Sequence, residues 1–297
     1  MCGIVGLFLK DTGLEPHLGA MLTDMLITMS DRGPDSAGIA VYGRPTQGRV
    51  KLTLQSADPA HDFNTLKADL HVTLGCEITA QIKDTHIVLD LPADQLAKAR
   101  ATIATLRPNL KTMSAGDSIE IFKETGRPKD VAARFNIAQM SGTHGIGHTR
   151  MATESAVTTL GAHPFSTGPD QCLVHNGSLS NHNAVRRDLI RAGMSFETEN
   201  DTEVAAAYLT HRMQTETLGQ AMQSTLTDLD GFFTFVVGTK NGFGVVRDPI
   251  ACKPAVMAET AQYVAFGSEY RALVSLPGID TAKIWEPEPA TVYFWTR

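Results

Sequence analysis

Position 2 is a cysteine, and standing next to the initiator methionine gives it a chemistry open to no internal thiol. Met1 is normally trimmed when the following residue is small, and Cys2 meets that condition. Trimming would leave a thiol and a free α-amine on one residue. An α-amine ionises near pH 7.7–8.0, roughly at neutrality, so it can take the thiol proton without a histidine partner. This is the N-terminal form of an activated nucleophile. A free cysteine is also a common small buried hydrophobe, and Cys2 alone supports either reading. If Met1 stays, its amide blocks the α-amine and the base is lost.

Other segments bear on that choice. Arg32-Gly33-Pro34-Asp35-Ser36-Ala37-Gly38 reads as a tight turn into a strand. His148-Thr149-Arg150-Met151-Ala152-Thr153 follows an apolar Gly-Ile-Gly stretch, His175-Asn176-Gly177 is placed at the end of a strand, and Asn200-Asp201-Thr202-Glu203 opens a helix. Later come Arg247-Asp248-Pro249 and Phe266-Gly267-Ser268-Glu269. In this order the motifs resemble those of the class II glutamine amidotransferases, N-terminal-nucleophile hydrolases that release ammonia from glutamine. The resemblance covers residues 2–43 and about 141–275. It implies an α+β fold, an αββα sandwich of two antiparallel sheets between helices.

The resemblance also implies roles. Cys2 would attack the side-chain amide of L-glutamine. The Asn176 side chain and the Gly177 backbone N–H would hold the oxyanion, as preorganised donors. Arg150 would fork onto the substrate α-carboxylate, a bidentate geometry that lysine does not copy. Asp201 would pair with the α-ammonium, and by residue type it could also be a plain helix N-cap. Arg32 and Asp35 are expected to hold neighbouring loops, and Thr153 and His163 to lie near the pocket. Two positions depart from the common pattern. Glu154-Ser155 stands where many members have His-Gly, and Ser178 where many have an acidic residue.

The elements that must position these residues are visible as periodicities. Residues 2–8 form an apolar run with β-branched members, a strand. Leu18, Met21, Leu22, Met25, Leu26 and Met29 mark one face of a helix over 17–30, more plausibly core than a binding groove. Residues 38–42 resume as a strand. Leu70, Val72, Leu74, Cys76, Ile78, Ala80 and Ile82 alternate, which predicts a strand. Residues 86–91 and 118–122 are further strands. Pro92 is expected to open a helix with Leu96, Ala99, Ile103 and Leu106 buried, and residues 129–138 look helical. This block is read as a small α/β subdomain at 44–140, inserted between amidotransferase segments 2–43 and 141–297. Beyond it, strands are expected at 146–149, 172–175, 232–238, 242–247 and 264–267, and helices at 181–192, 201–214 and 217–228.

Bulk properties exclude other classes. The 297 residues carry a net charge of −6, which argues against a nucleic-acid surface. No apolar run approaches the roughly 20 residues of a membrane span, and the N-terminus lacks a basic n-region. Four scattered cysteines give no CxxC pair, so a reducing cytoplasm is expected. His144, His148, His175 and His182 lack metal-ligand spacing, and no metal is expected. Gly142, Gly145 and Gly147 do not make a dinucleotide fingerprint, and no GxSxG elbow is present. Residues 276–297 are too few for an acceptor domain, so the ammonia-using chemistry is expected on another polypeptide. The plan resembles the stand-alone amidotransferase subunits of glutamate-synthase-like complexes, that of N-methylglutamate synthase among them. That resemblance implies synthase-subunit partners carrying FMN and an iron–sulfur cluster, with no cofactor in this chain. Two alternatives stay open: a non-catalytic assembly or regulatory subunit, and a hydrolase of another amide.

Overall fold

The computed structural model describes residues 2–152 and 156–297. Strand β1 (Gly3–Leu9) is buried throughout, as a seven-residue apolar run covered on both faces must be. Helix α1 (Leu18–Thr28) and strand β2 (Ser36–Tyr42) follow. The next block contains β3 (Arg49–Gln55), the short α2 (Pro59–Asp62), α3 (Leu66–Leu74), β4 (Thr79–Lys83), β5 (His86–Pro92), α4 (Leu96–Leu106) and β6 (Lys111–Gly116). Then come β7 (Ile119–Thr125), α5 (Pro128–Arg134), β8 (His144–Arg150), β9 (Gln171–Leu179), α6 (His182–Arg191), α7 (Asp201–Arg212) and α8 (Leu218–Asp228). The chain closes with β10 (Gly231–Thr239), β11 (Gly242–Arg247), β12 (Val256–Glu259), β13 (Tyr263–Gly267), β14 (Lys283–Trp285) and β15 (Val292–Thr296).

Two antiparallel sheets face each other, one ordered β14-β12-β13-β1-β8-β2-β7 and the other β15-β11-β10-β9. The alternation along β1 sorts the layers, because successive side chains leave opposite faces. Val5, Leu7 and Leu9 meet Leu18, Leu22, Met25 and Leu26 of α1. Ile4 and Phe8 turn the other way and pack with Val174, Val236, Phe243 and Val245 of the second sheet. That sheet's far side, with Leu173, Phe235 and Val237, covers Val204, Ala205, Leu209 and Met222 from α7 and α8. The result is the helix–sheet–sheet–helix sandwich of the N-terminal-nucleophile hydrolases.

The intervening block has its own sheet, β4-β5-β3-β6, and its own core, in which Leu52, Leu54 and Leu89 pack against Leu66, Leu70, Ala99 and Ile103. This separate sheet takes residues 49–116. β7 instead pairs with β2 in the large sheet, and Val131, Ala132 and Phe135 pack in the same core as α1.

The alternating run from Leu70 to Ile82 is not one strand. Residues 66–74 are helical and only 79–83 are extended. Leu66, Leu70 and Leu74 are buried while Val72 is 82% exposed, so burial there follows the four-residue spacing of a helix. Gly75, at φ 67°, ends it in the left-handed conformation. Pro92 closes β5, and Leu106, expected in the buried face of α4, is exposed. Asn176 and Gly177 lie inside β9, which runs two residues further than expected. β3, β6, β12, β14 and β15 were not expected; in β3 the alternation of Val50, Leu52 and Leu54 was a strand signal that the sequence reading missed.

Candidate active site

The site lies at one end of the large sheet. In the register Gly3 faces Thr149 and Ser36 faces Arg150, so Cys2, the start of β2 and the last residue of β8 come together. The turn before β2 fits only because Gly33 has no side chain: a Cβ there would sit 2.5 Å from the Arg150 nitrogen. Asp35 ties the same turn down. Its N–H donates to the Arg150 carbonyl at 3.1 Å, and its carboxylate accepts from the Ala152 N–H at 2.8 Å.

Cys2 is held through its main chain. Its carbonyl accepts from Arg32 Nε at 2.9 Å and from Asn176 Nδ2 at 3.2 Å. Its Sγ lies 3.9 Å from the Met151 carbonyl. Asn176 Nδ2 also donates to Ser268 Oγ at 3.2 Å, and that hydroxyl accepts from Ile4 N–H at 2.9 Å. Arg32 is buried and pairs with Glu269 at 2.6 Å. The Arg32 guanidinium holds the Glu269 carboxyl below the usual carboxylate range, with Arg271 adding to it. The Ser268-Glu269 segment thus fixes both partners of the Cys2 carbonyl. Sequence reading noted that motif and gave it no role.

Beside Cys2 opens a cleft of about 590 Å³ with Arg150, Gly177, Ser178, His182 and Asp201 in its wall. Arg150 is buried and points Nη1 toward the Ala156 carbonyl at 3.5 Å. Asp201 is the first residue of α7, where the helix dipole favours a negative charge. The N-cap is Asn200, whose side chain accepts from the Thr202 N–H, so the carboxylate of Asp201 is not spent on capping. It accepts from the Leu179 N–H at 3.0 Å and sits 3.8 Å from His175 Nδ1.

Gly177 lies on β9, the free edge of the second sheet. Its neighbour across the ladder is Phe233, which turns both main-chain groups to Asp248: Phe233 N–H donates to the carboxylate at 3.1 Å, and its carbonyl accepts from Asp248 N–H at 3.0 Å. In an antiparallel pair this turns the facing residue outward. The Gly177 N–H therefore points away from the ladder. The backbone there has φ 145°, and a Cβ would meet the Phe232 carbonyl at 1.9 Å, so only glycine is accommodated.

Under the cleft lies a layer of buried histidines. His148 and His163 stack at 4.1 Å. His148 Nε2 donates to the His175 carbonyl at 3.2 Å, and the His175 N–H donates to His163 Nδ1 at 3.4 Å. Thr202 Oγ1 joins His163 Nε2 and His175 Nδ1 at 3.2 and 3.1 Å. Burial pulls His148 down to about 3, His175 to about 4 and His163 well below its ordinary value, so all three are neutral near pH 7. The loop carrying His163 is pinned by buried Lys123, which donates to the carbonyls of Leu160, Ala162 and Pro164 at 3.1, 2.7 and 3.2 Å. Of this layer the sequence placed only His163 near the pocket; His148 and His175 entered it as motif members and as rejected metal ligands. Lys123 gives no local signal, because its role depends on a loop 37–41 residues away. Thr153 and the Glu154-Ser155 departure lie outside the described residues. Among those residues no group of three or more His, Cys, Asp or Glu could hold a metal ion, and no helix is long and apolar enough to cross a membrane.

A double-sheet sandwich with a cysteine beside a cleft that carries an arginine and a carboxylate defines the amidotransferase type of N-terminal-nucleophile fold. Residues 148–275 match the glutamine amidotransferase domain model. The chain is 69% identical over 296 residues to the glutamine amidotransferase-like protein GlxB of Rhizobium meliloti (strain 1021), covering 99% of this chain and 98% of that one. It is 32% identical over 309 residues to a putative glutamine amidotransferase of Methanothermobacter thermautotrophicus, covering 98% of each. The glutamine PRPP amidotransferase of B. subtilis superposes with a TM-score of 0.63 at 18% identity, over 99% of this chain and 47% of that one. The chain belongs to the class II glutamine amidotransferase family.

Proposed function

We propose that this chain is the ammonia-donating glutaminase subunit of a multi-subunit amidotransferase, working through a γ-glutamyl thioester on Cys2. The observation that carries the reading is the joining of Cys2, by way of its own carbonyl, to Asn176, beside a cleft walled by Arg150 and Asp201. Arg150 would bind the glutamine α-carboxylate and Asp201 its α-ammonium. The Cys2 α-amine would take the thiol proton, and the thiolate would attack the side-chain amide carbon. The Gly177 N–H would hold the oxyanion, joined by Asn176 Nδ2 once that amide turns from the Cys2 carbonyl and Ser268 Oγ, which take both of its N–H groups here. The α-ammonium would return its proton to the leaving nitrogen as ammonia departs. Water, deprotonated by the same amine, would then cleave the thioester to glutamate and restore the thiol.

The overall plan favours a glutamate-synthase-like or N-methylglutamate-synthase-like partner to consume the ammonia, with FMN and an iron–sulfur cluster on that partner. The test is the Cys2→Ala variant. Ammonia release from glutamine should vanish while thermal stability is kept, and intact mass of the wild type should show Met1 removed. Wild-type ammonia release by the variant would end this reading. If the assembled complex worked as fast on glutamine with Cys2→Ala as without it, the role of this chain would be assembly rather than chemistry.

A further inference from the structure

A second cleft, of about 650 Å³, opens at the opposite end of the large sheet, between that sheet and the β4-β5-β3-β6 sheet. Cys2 stands before the start of β1 and beside the start of β2, whereas this cleft is walled by Val41 and Gly43 at the end of β2. A strand of seven residues separates the two, roughly 20 Å. The cleft takes no part in the chemistry proposed above.

Its charges do not balance. Glu15 is buried and already held by two arginines, Arg44 and Arg297, each at 2.8 Å. Glu120 is paired with Lys51 at 2.5 Å. Lys83, at the end of β4, makes no hydrogen bond or ion pair among the described residues; its ammonium lies over the Phe122 ring, 4.7 Å from the centroid. The wall thus carries two carboxylates, Glu15 and Glu120, against three cations, Arg44, Lys51 and Lys83, and Lys83 has no carboxylate of its own, because Glu120, whose charge it feels, is already paired with Lys51. Burial pulls the Lys83 amine below its usual range against the pull of the Glu120 carboxylate, which raises it, and neighbouring Lys51 adds a smaller lowering. Gln81, Gln139 and Ser141 add neutral hydrogen-bonding groups to the same wall. The volume is that of a small-molecule site, far more than a bare ion needs.

We propose that this cleft is a second ligand site, taking a small organic oxyanion whose carboxylate or phosphate group pairs with Lys83. The two sources of such a group, a dicarboxylate metabolite or a phosphorylated one, can be told apart with glutarate and inorganic phosphate as probes. Pulse acetylation of the full chain, read by peptide mass spectrometry, measures Lys83 directly, with exposed Lys98 as control. At ten times its dissociation constant the right probe should slow Lys83 acetylation about tenfold and leave Lys98 unchanged; chloride at matched ionic strength should change neither rate. Calorimetric binding of that probe should be lost in Lys83→Met, while ammonia release from glutamine stays at the wild-type rate. Protection by glutarate or by phosphate supports the site and assigns its chemistry. Absence of protection by both, equal protection of Lys98, or undiminished binding to Lys83→Met overturns it.

Discussion

The sharpest perturbation of the proposed oxyanion site is Gly177→Ala, the addition of one methyl group. The new Cβ would lie 1.9 Å from the Phe232 carbonyl oxygen, whereas real Cβ contacts stay beyond 3.0 Å. β9 must therefore move from β10 by about 1 Å, or residue 177 must leave φ 145°, a conformation that costs an L-residue about 1–3 kcal/mol. Either response displaces the N–H that the Phe233–Asp248 pairing turns outward. Misplacing a reacting or stabilising group by about 1 Å costs roughly 10²-fold, and losing one oxyanion donor roughly 10²- to 10³-fold. We therefore expect kcat for glutamine hydrolysis to fall about 10²-fold or more. KM should move less, because Arg150 and Asp201 sit on other elements and β9 reaches them only through the Leu179 N–H bond to Asp201. Ammonia release followed with a coupled dehydrogenase, alongside a thermal melt, separates lost chemistry from lost fold. A well-folded Gly177→Ala enzyme with kcat within about threefold of wild type, less than 1 kcal/mol, would refute the oxyanion role of this N–H.

Two further outcomes follow from buried groups, some at the site and some elsewhere in the fold. His86, His144 and His148 are pushed down to about 3, His175 to about 4 and His163 well below 6.5, so the fold holds them neutral while the unfolded chain protonates them. Stability is therefore complete above about pH 6.5 and is lost progressively from there toward pH 3, at about 1.4 kcal/mol per histidine per unit. At pH 5.5 the five together cost roughly 7 kcal/mol, a large part of an ordinary domain's 5–15 kcal/mol; equal urea midpoints at pH 7.5 and 5.5 would contradict this. Arg32→Ala removes the Nε bond to the Cys2 carbonyl and the pair with Glu269. A charge-assisted bond of this kind contributes about 1.5–3 kcal/mol, so kcat should drop at least tenfold with KM little changed, and Arg32→Lys should recover little because lysine cannot make the same fork. Full activity in Arg32→Ala would return Arg32 to a loop-holding role.

How far the site was legible depended on where each residue's partners lie. Cys2, Arg150, Asn176, Gly177 and Asp201 sit in local patterns such as a glycine after an asparagine or a carboxylate at a helix start; the structure lines one cleft with four of them and ties the fifth, buried Asn176, to the Cys2 carbonyl. Arg32 was read as a loop residue because nothing local shows that its guanidinium spans from the Cys2 carbonyl to Glu269, 237 positions away. The buried histidines could be rejected as metal ligands on spacing. Their joint packing under the cleft was not readable, since it depends on β8 and β9 belonging to different sheets that face each other.

The elements show the same division. Helix α1, with one apolar face, and α7, a continuous apolar run from Val204 to Leu209, were placed within a few residues, and so were strands buried on both sides, β1 and β11. The failure at Leu70 to Ile82 has a definite cause. Apolar residues at every second position also fill every fourth, so a sequence with period two contains a helical stripe, and only burial decides between them. Burial chose Leu66, Leu70 and Leu74 and left Val72 in water. The assignment of β7 is harder still. Alternation says that a strand has two faces, but not which strand lies beside it, and Ile119–Thr125 follows the β6 turn as naturally as it would a hairpin of the inserted sheet. Its pairing with β2 is what makes the second cleft: β7 carries Glu120 and Phe122, while β3 and β4 of the other sheet bring Lys51 and Lys83 onto them. The excess of positive charge in this cleft therefore arises where two sheets meet, a place that no single segment of the chain encodes.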